Sequence, residues 1–275
     1  MDRFRLAGYS ILPPIVKNII IINVLMYFFS NFAIYSLNFD IVKLLGLHSF
    51  ESEYFSIYQF VTYMFMHGGF SHLFFNMFAL WMFGSAIENY WGSKRFLYFY
   101  FIVGISAGLF NDIIVWFSHK ELISAYDAFV ASPTPEKFMI IIKEYFPQYV
   151  RGIQDWLYQW ELYPDNPALS KEAINFLGKE IYREINIPMV GASGAVFGLL
   201  LAFGMLFPNA MIFIYFLFPI KAKWFVILYG ILELFLGVAN HPGDNIAHFA
   251  HLGGMIFGFI LIKYWQKKDR ENYML

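Results

Sequence analysis

Charge is missing from this chain over long stretches, and that constrains its fold more than any other feature. Residues 18–39, 54–87 and 185–220 contain no Asp, Glu, Lys or Arg. At ~1.5 Å of rise per helical residue, about 20 apolar residues cross the hydrocarbon core of a bilayer. Within that core every backbone N–H and C=O must be satisfied internally, so such runs fold as helices. Of the 275 residues only 14% are charged, against about 25% in soluble domains, which excludes a soluble globule. The runs define a polytopic, all-α membrane protein.

Dividing these runs, with the further apolar segments around them, gives six transmembrane helices. Helix one is expected at 18–39 and is too long for the apolar segment of a cleaved signal peptide. The 54–87 run exceeds one untilted span and divides at His67-Gly68-Gly69 into an aromatic-rich loop structure and helix two at 71–90. Helix three follows the Trp91-Gly92-Ser93-Lys94-Arg95 turn, at 96–117. The 185–220 run also exceeds one span: helix four at 189–207, a turn at Pro208-Asn209, and a short return segment at 211–220. Helix five at 224–238 and helix six at 246–265 flank a short loop that contains His241.

Between helices three and four, residues 118–187 regain charge and proline. Residues 137–162 and 170–185 carry helical periodicity with polar faces, so 118–187 reads as a helical insert outside the bilayer or on its surface. The whole chain, 1–275, is expected to be one membrane domain containing that insert.

Basic residues orient the bundle. Arg3, Arg5 and Lys17, Lys94 and Arg95, Lys221 and Lys223, and Lys263, Lys267, Lys268 and Arg270 all fall on one side of six helices. The short loops of the other side hold only Lys43. The positive-inside rule then predicts a multi-pass protein of the cell membrane with both ends cytoplasmic. No basic stripe is present to grip a phosphate backbone, so nucleic acid is not an expected partner. The absence of cysteine excludes a thiolate nucleophile, a disulfide and a Cys-ligated metal.

Chemistry enters at Gly191-Ala192-Ser193-Gly194, at the start of helix four. Small residues and Ser hydroxyls commonly serve helix–helix contacts in membranes. A nucleophile needs more: a base within hydrogen-bond reach and donors aimed at the developing oxyanion. Helices two, four and six all enter from the outer side, which brings His72, Asn76, Ser193 and His251 to similar depth. His72 and Asn76, four apart, share a helix face. Gly194 and Gly198 on helix four, and Gly254 and Gly258 with His251 on helix six, form smooth faces that permit close approach. Should those faces meet, His251 takes the Ser193 proton, Phe197 lies beneath its ring, and His72, Asn76 and the Ser193 backbone N–H receive the oxyanion. Helix six offers no acid to orient His251, so a Ser–His dyad is expected, working in a polar cavity open to the outer side.

Gly191-Ala192-Ser193-Gly194, Ala250-His251-Leu-Gly-Gly254 and His67-Gly-Gly-Phe-Ser-His72-Leu-Phe-Phe-Asn76, with Gly84-x-x-x-Glu88-x-x-x-Gly92, resemble the rhomboid family of intramembrane serine proteases over residues 57–265, the insert excepted. The resemblance implies a six-transmembrane-helix rhomboid-like bundle that cleaves transmembrane protein substrates near the outer membrane face. It implies Ser193 as nucleophile, His251 as base and His72 and Asn76 as oxyanion partners, with Gly191, Gly194, Phe197, Gly254 and Gly258 in support. Membrane lipid is the surrounding partner, and no cofactor or metal is expected. Two departures stand out: Tyr58-Gln59 occupies the place of the family's usual Trp-Arg pair in the first loop, and the 118–187 insert is far longer than the usual connection.

Two readings from other classes compete. One is a non-catalytic relative that binds transmembrane helices; it would be expected to lose Ser193 or His251. The other is a metal transporter built on His67, His72, His248 and His251, which lacks an inverted repeat and an acidic relay between helices. Glu233, the acid within helix five, either faces the cavity or a neighbouring helix or is protonated and structural. His248 and His67 read as structural groups, and His48, His119 and His241 as loop residues.

Overall fold

The computed structural model describes residues 9–214, 217–239 and 247–273. The expectations for Arg3, Arg5, His241 and the start of helix six at 246 lie outside them. Six principal membrane-domain helices are seen: helix one Pro14–Leu37, two Phe70–Trp91, three Ser93–Ala131, four Ser193–Leu206, five Ala222–Ala239 and six His248–Tyr273. Among the described residues, helices one, two, three and five are long and apolar enough to cross a membrane. The chain is a multi-pass integral membrane protein, mostly helical, as its composition requires.

Helix four is different. It has 14 residues, every one from Gly194 to Leu200 is buried, and it packs against helices two, three, five and six. Its length, ~21 Å at 1.5 Å per residue, falls short of a ~30 Å hydrocarbon layer. Longer neighbours surround it, and Phe99 and Val103 of helix three, Leu199 and Leu200 of helix four and Ile262 of helix six share the central core.

Three expectations are corrected. Helix three does not stop at 117 but continues to Ala131, because residues 118–131 contain no Gly or Pro to end it; charge ends the hydropathy, not the helix. The return segment is an antiparallel hairpin, Met211–Ile214 with Phe218–Lys221, the one departure from all-α among the described residues. His119 is not a loop residue: it lies buried on the extension of helix three, with Nδ1 3.1 Å from Ser49 Oγ. His48 is buried as well, its Nε2 2.8 Å from the Lys43 carbonyl, and burial pushes its pKa below the ordinary value.

The insert folds around a core of its own. Leu122 and Phe129 from the extension of helix three meet Phe138 and Ile142 of Pro135–Tyr145, Trp160 of Gln154–Leu162 and Leu177 of Pro167–Ile185. It is tied back to the first loop. Ser52 donates to Asn186 at 2.6 Å, and Tyr182 bonds both Glu53 and, at 3.1 Å, Tyr54. The Tyr182 hydroxyl holds the Glu53 carboxyl below its usual pKa.

Gln59 organises the first loop. It is 1% exposed, accepts from the backbone N–H of His48 (3.2 Å) and Ser56 (3.1 Å), and donates to the carbonyls of Leu44 (3.2 Å) and Tyr54 (2.9 Å). Tyr58 adds a bond to Leu44 O at 3.2 Å. A neutral amide with two donors and two acceptor sites matches this set of backbone groups.

Glu88 fastens helix one to helix two. Its carboxylate accepts from Ile15 N at 3.0 Å, Val16 N at 2.9 Å and Ser93 Oγ at 2.6 Å, and it is 2% exposed. An anion at a helix N-terminus satisfies orphan N–H groups and faces the positive end of the helix dipole. Glu88→Gln turns an amide NH₂ against one of those donors. The expected loss is about 1.5–3 kcal/mol, the range for hydrogen bonds to a charged group, read as a lower thermal unfolding midpoint in detergent.

Candidate active site

The backbone before Ser193 is held extended. Leu47 and Met189 exchange both backbone hydrogen bonds (2.9 and 2.7 Å), and Gly191 N donates to Tyr63 O at 2.9 Å. Gly191 has φ +123°, a conformation side chains disfavour, and a Cβ there would meet His72 Nε2 at 2.6 Å. Helix four therefore begins at Ser193 and not at 189. That start matters, since the first N–H groups of a helix have no partner in its own ladder. The serine hydroxyl and a backbone N–H outside the helix's own ladder stand at the same helix end.

Helices four and six touch through backbone. A Cβ on Gly254 would overlap the carbonyl oxygen of Gly194, and one on Gly194 would meet Ala107 Cβ at 2.7 Å and Ala250 O at 3.3 Å. One turn on, Gly198 Cα lies 3.4 Å from the position of a Gly258 Cβ. Gly258 thus serves the helix crossing, two turns from His251.

The crossing brings the side chains together. His251 Nε2 is 2.9 Å from Ser193 Oγ. The His251 ring lies flat on Phe197, centroids 4.0 Å apart and planes 5° from parallel, and Tyr229 packs on Phe197 in turn at 5.0 Å. Ser193 is partly exposed and His251 buried, so the hydroxyl is reachable and the ring is fixed. His72 faces Gly191 from helix two, with Asn76 Nδ2 3.8 Å from the same Cβ position and donating to His72 O at 3.1 Å. Two side chains with donors thus border the chain two residues before the serine.

Of the readings left open for Glu233, the one observed is that it faces a neighbouring helix. Helix six supplies no acid to His251, but helix five does: Glu233 Oε2 is 2.8 Å from His251 Nδ1 and 2.6 Å from His248 Nδ1. A signal for it was present in the sequence. Glu233 lies about as far before the five–six loop as His251 lies after it, and an acid that deep in a span calls for a partner of the same depth. These three residues also hold ligand atoms within 4.8 Å of one another, so by type they could hold a divalent cation. His67 and His72 are not in that group among the described residues; their rings pack edge to face at 5.0 Å.

A hydrogen-bonded serine–histidine pair thus stands at a glycine-lined helix crossing of a helical membrane bundle. The sequence matches the Rhomboid domain over residues 54–122 and 168–267, more than half of its length, and the chain belongs to the rhomboid family. The stretch left unmatched between them falls inside the insert. It is 26% identical to an uncharacterized mitochondrial rhomboid protein of Schizosaccharomyces pombe over 239 residues, 80% of this chain and 55% of that one. It is 27% identical to the mitochondrial Rhomboid protein 1 of Saccharomyces cerevisiae over 212 residues, 76% of this chain and 42% of that one. Over 52 residues, 19% of this chain and 10% of the other, it is 40% identical to the Rhomboid protease GluP of Bacillus subtilis. The chain thus spans about half the length of the yeast relatives.

The helix crossing can be tested directly. Gly254→Ala drives a methyl into the Gly194 carbonyl, and relief requires helix six to move away. The expected outcome is a loss of about 1–3 kcal/mol of stability and slower labelling of Ser193 by a fluorophosphonate probe, while Gly253→Ala, which meets the Phe110 ring at 3.0 Å, leaves labelling closer to wild type.

Proposed function

We propose that this protein is an intramembrane serine endopeptidase that cleaves transmembrane protein substrates near the outer membrane face. The observation that carries the reading is the 2.9 Å contact of His251 Nε2 with Ser193 Oγ, braced by the parallel Phe197 ring. Family membership and the shared stretch with a named rhomboid protease support it.

In this reading Ser193 Oγ attacks the scissile carbonyl carbon and its proton passes to His251 Nε2. The carbonyl electron pair moves onto oxygen, which the Ser193 backbone N–H, His72 and Asn76 receive; one such donor is typically worth ~3–4 kcal/mol. Collapse expels the amine, which takes the proton from Nε2 and leaves an acyl-enzyme on Ser193. A water deprotonated by His251 then releases the acid. The short helix four favours this chemistry, because a serine at the recessed end of a ~21 Å helix can be reached by water without an open pore. The expected cofactor set is empty.

Orientation and setting follow from charge. Lys17, Lys94 and Arg95, Lys221 and Lys223, and the basic end of helix six share one side, which we assign to the cytoplasm or its equivalent, with both chain ends. The expected plasma membrane gains no support from the relatives, two of which are named mitochondrial. We place the insert outside the bilayer, since its polar faces surround a core already closed on itself.

Ser193→Ala and His251→Ala are each expected to lower cleavage of a transmembrane substrate by ~10³-fold or more and to abolish fluorophosphonate labelling. Unchanged processing by Ser193→Ala would instead favour a helix-binding role without catalysis.

A further inference from the structure

We propose that Glu233 is a positioning residue that sets the proton on His251, so that the Ser193–His251 pair works with a carboxylate from a different helix held behind the imidazole. The proposal rests on the protease reading above. Its evidence is separate: one carboxylate oxygen, Glu233 Oε2, lies 2.8 Å from His251 Nδ1 and 2.6 Å from His248 Nδ1. Glu233 is 3% exposed, His248 6% and His251 7%, so bulk water does not take the place of these contacts.

The geometry fixes the tautomer. An ionised carboxylate only accepts, so each Nδ1 that bonds it must carry the hydrogen. With Nδ1–H pointing at Glu233, the second nitrogen of His251 presents a lone pair, and that nitrogen is the one 2.9 Å from Ser193 Oγ. In the opposite tautomer Nε2–H would donate to the serine oxygen, and the ring could not take the serine proton. Phe197 fixes the plane of the ring but cannot choose between its two nitrogens; Glu233 can. During attack the Oγ–H proton moves to Nε2 and the ring becomes an imidazolium held between carboxylate and substrate. Nδ1–H stays on the ring throughout, and the Nε2 proton leaves with the amine.

Helix packing delivers the carboxylate. Helix five approaches helix six where Gly237 faces His248, a Cβ there lying 3.2 Å from His248 Cβ, and where Gly230 faces Met255. Glu233 sits between these two glycines and is the acid of helix five. His248, on the same oxygen, orients the carboxylate from its other side.

The test uses the full chain in proteoliposomes with a transmembrane substrate, comparing wild type, Glu233→Gln and Glu233→Asp. Glu233→Gln is expected to lower kcat by at least tenfold with KM within about twofold, and Glu233→Asp to recover part of that loss. The decisive readout is the ¹⁵N spectrum of labelled histidine in wild type, with His251 assigned from the signal absent in His251→Ala. Nδ1 should read as the protonated nitrogen and Nε2 as the bare one, and Glu233→Gln should move His251 toward a tautomer mixture. Wild-type kcat in Glu233→Gln, or a wild-type His251 protonated at Nε2, overturns the proposal and leaves the dyad in place. A loss of thermal stability in Glu233→Gln with kcat unchanged overturns it too, assigning Glu233 to helix packing. Failure of the protease reading looks different: no cleavage and no fluorophosphonate labelling in any form, wild type included.

Discussion

Helices four and six meet backbone to backbone at Gly194 and Gly254, and the rest of the site depends on that contact. Any Cβ at Gly254 would occupy the space of the Gly194 carbonyl. With the axes this close, a serine at the head of one helix and a histidine on the other reach hydrogen-bond distance without either side chain stretching. In lipid there is no hydrophobic drive to bring two apolar helices together, so shape complementarity of small residues has to do it. The same crossing buries Phe197 under the His251 ring, so one packing event sets both the distance and the plane of the imidazole.

Of the buried acids, Glu88 and Glu233 are satisfied by different means. Glu88 takes two backbone N–H groups at the start of helix one and a serine hydroxyl, a fixed arrangement with no exchangeable partner. Glu233 takes two imidazole nitrogens from the neighbouring helix, one of His248 and one of His251. The first arrangement locks an architecture. The second links a carboxylate to the one ring that contacts the serine.

The first loop and the insert form a second, polar layer around the same end of helix four. Gln59 closes the loop on itself with four hydrogen bonds, the Leu47–Met189 pairing holds the strand that leads into Ser193, and Asn186 and Tyr182 tie the insert to that loop. The amide at Gln59 anchors this loop without a charge, because the groups it holds are neutral backbone carbonyls and N–H groups.

Much of this was legible in the sequence, for a physical reason: inside a bilayer, charge and backbone hydrogen bonding leave few choices. Charge-free runs gave the helices, their depth aligned Ser193, His72, Asn76 and His251, and glycines at spacings of three and four marked the faces that touch. What the sequence could not decide was set by contacts between segments far apart in the chain. Helix four starts at Ser193 because Leu47 and Tyr63 hold the preceding residues extended, and helix three runs on to Ala131 because a separate core under the insert rewards it. Glu233 was visible as a costly acid in an apolar helix, but a one-dimensional pattern gives its depth and not the direction it faces. Only the rotation of helix five against helix six, fixed by packing at Gly230 and Gly237, turns that carboxylate onto His251.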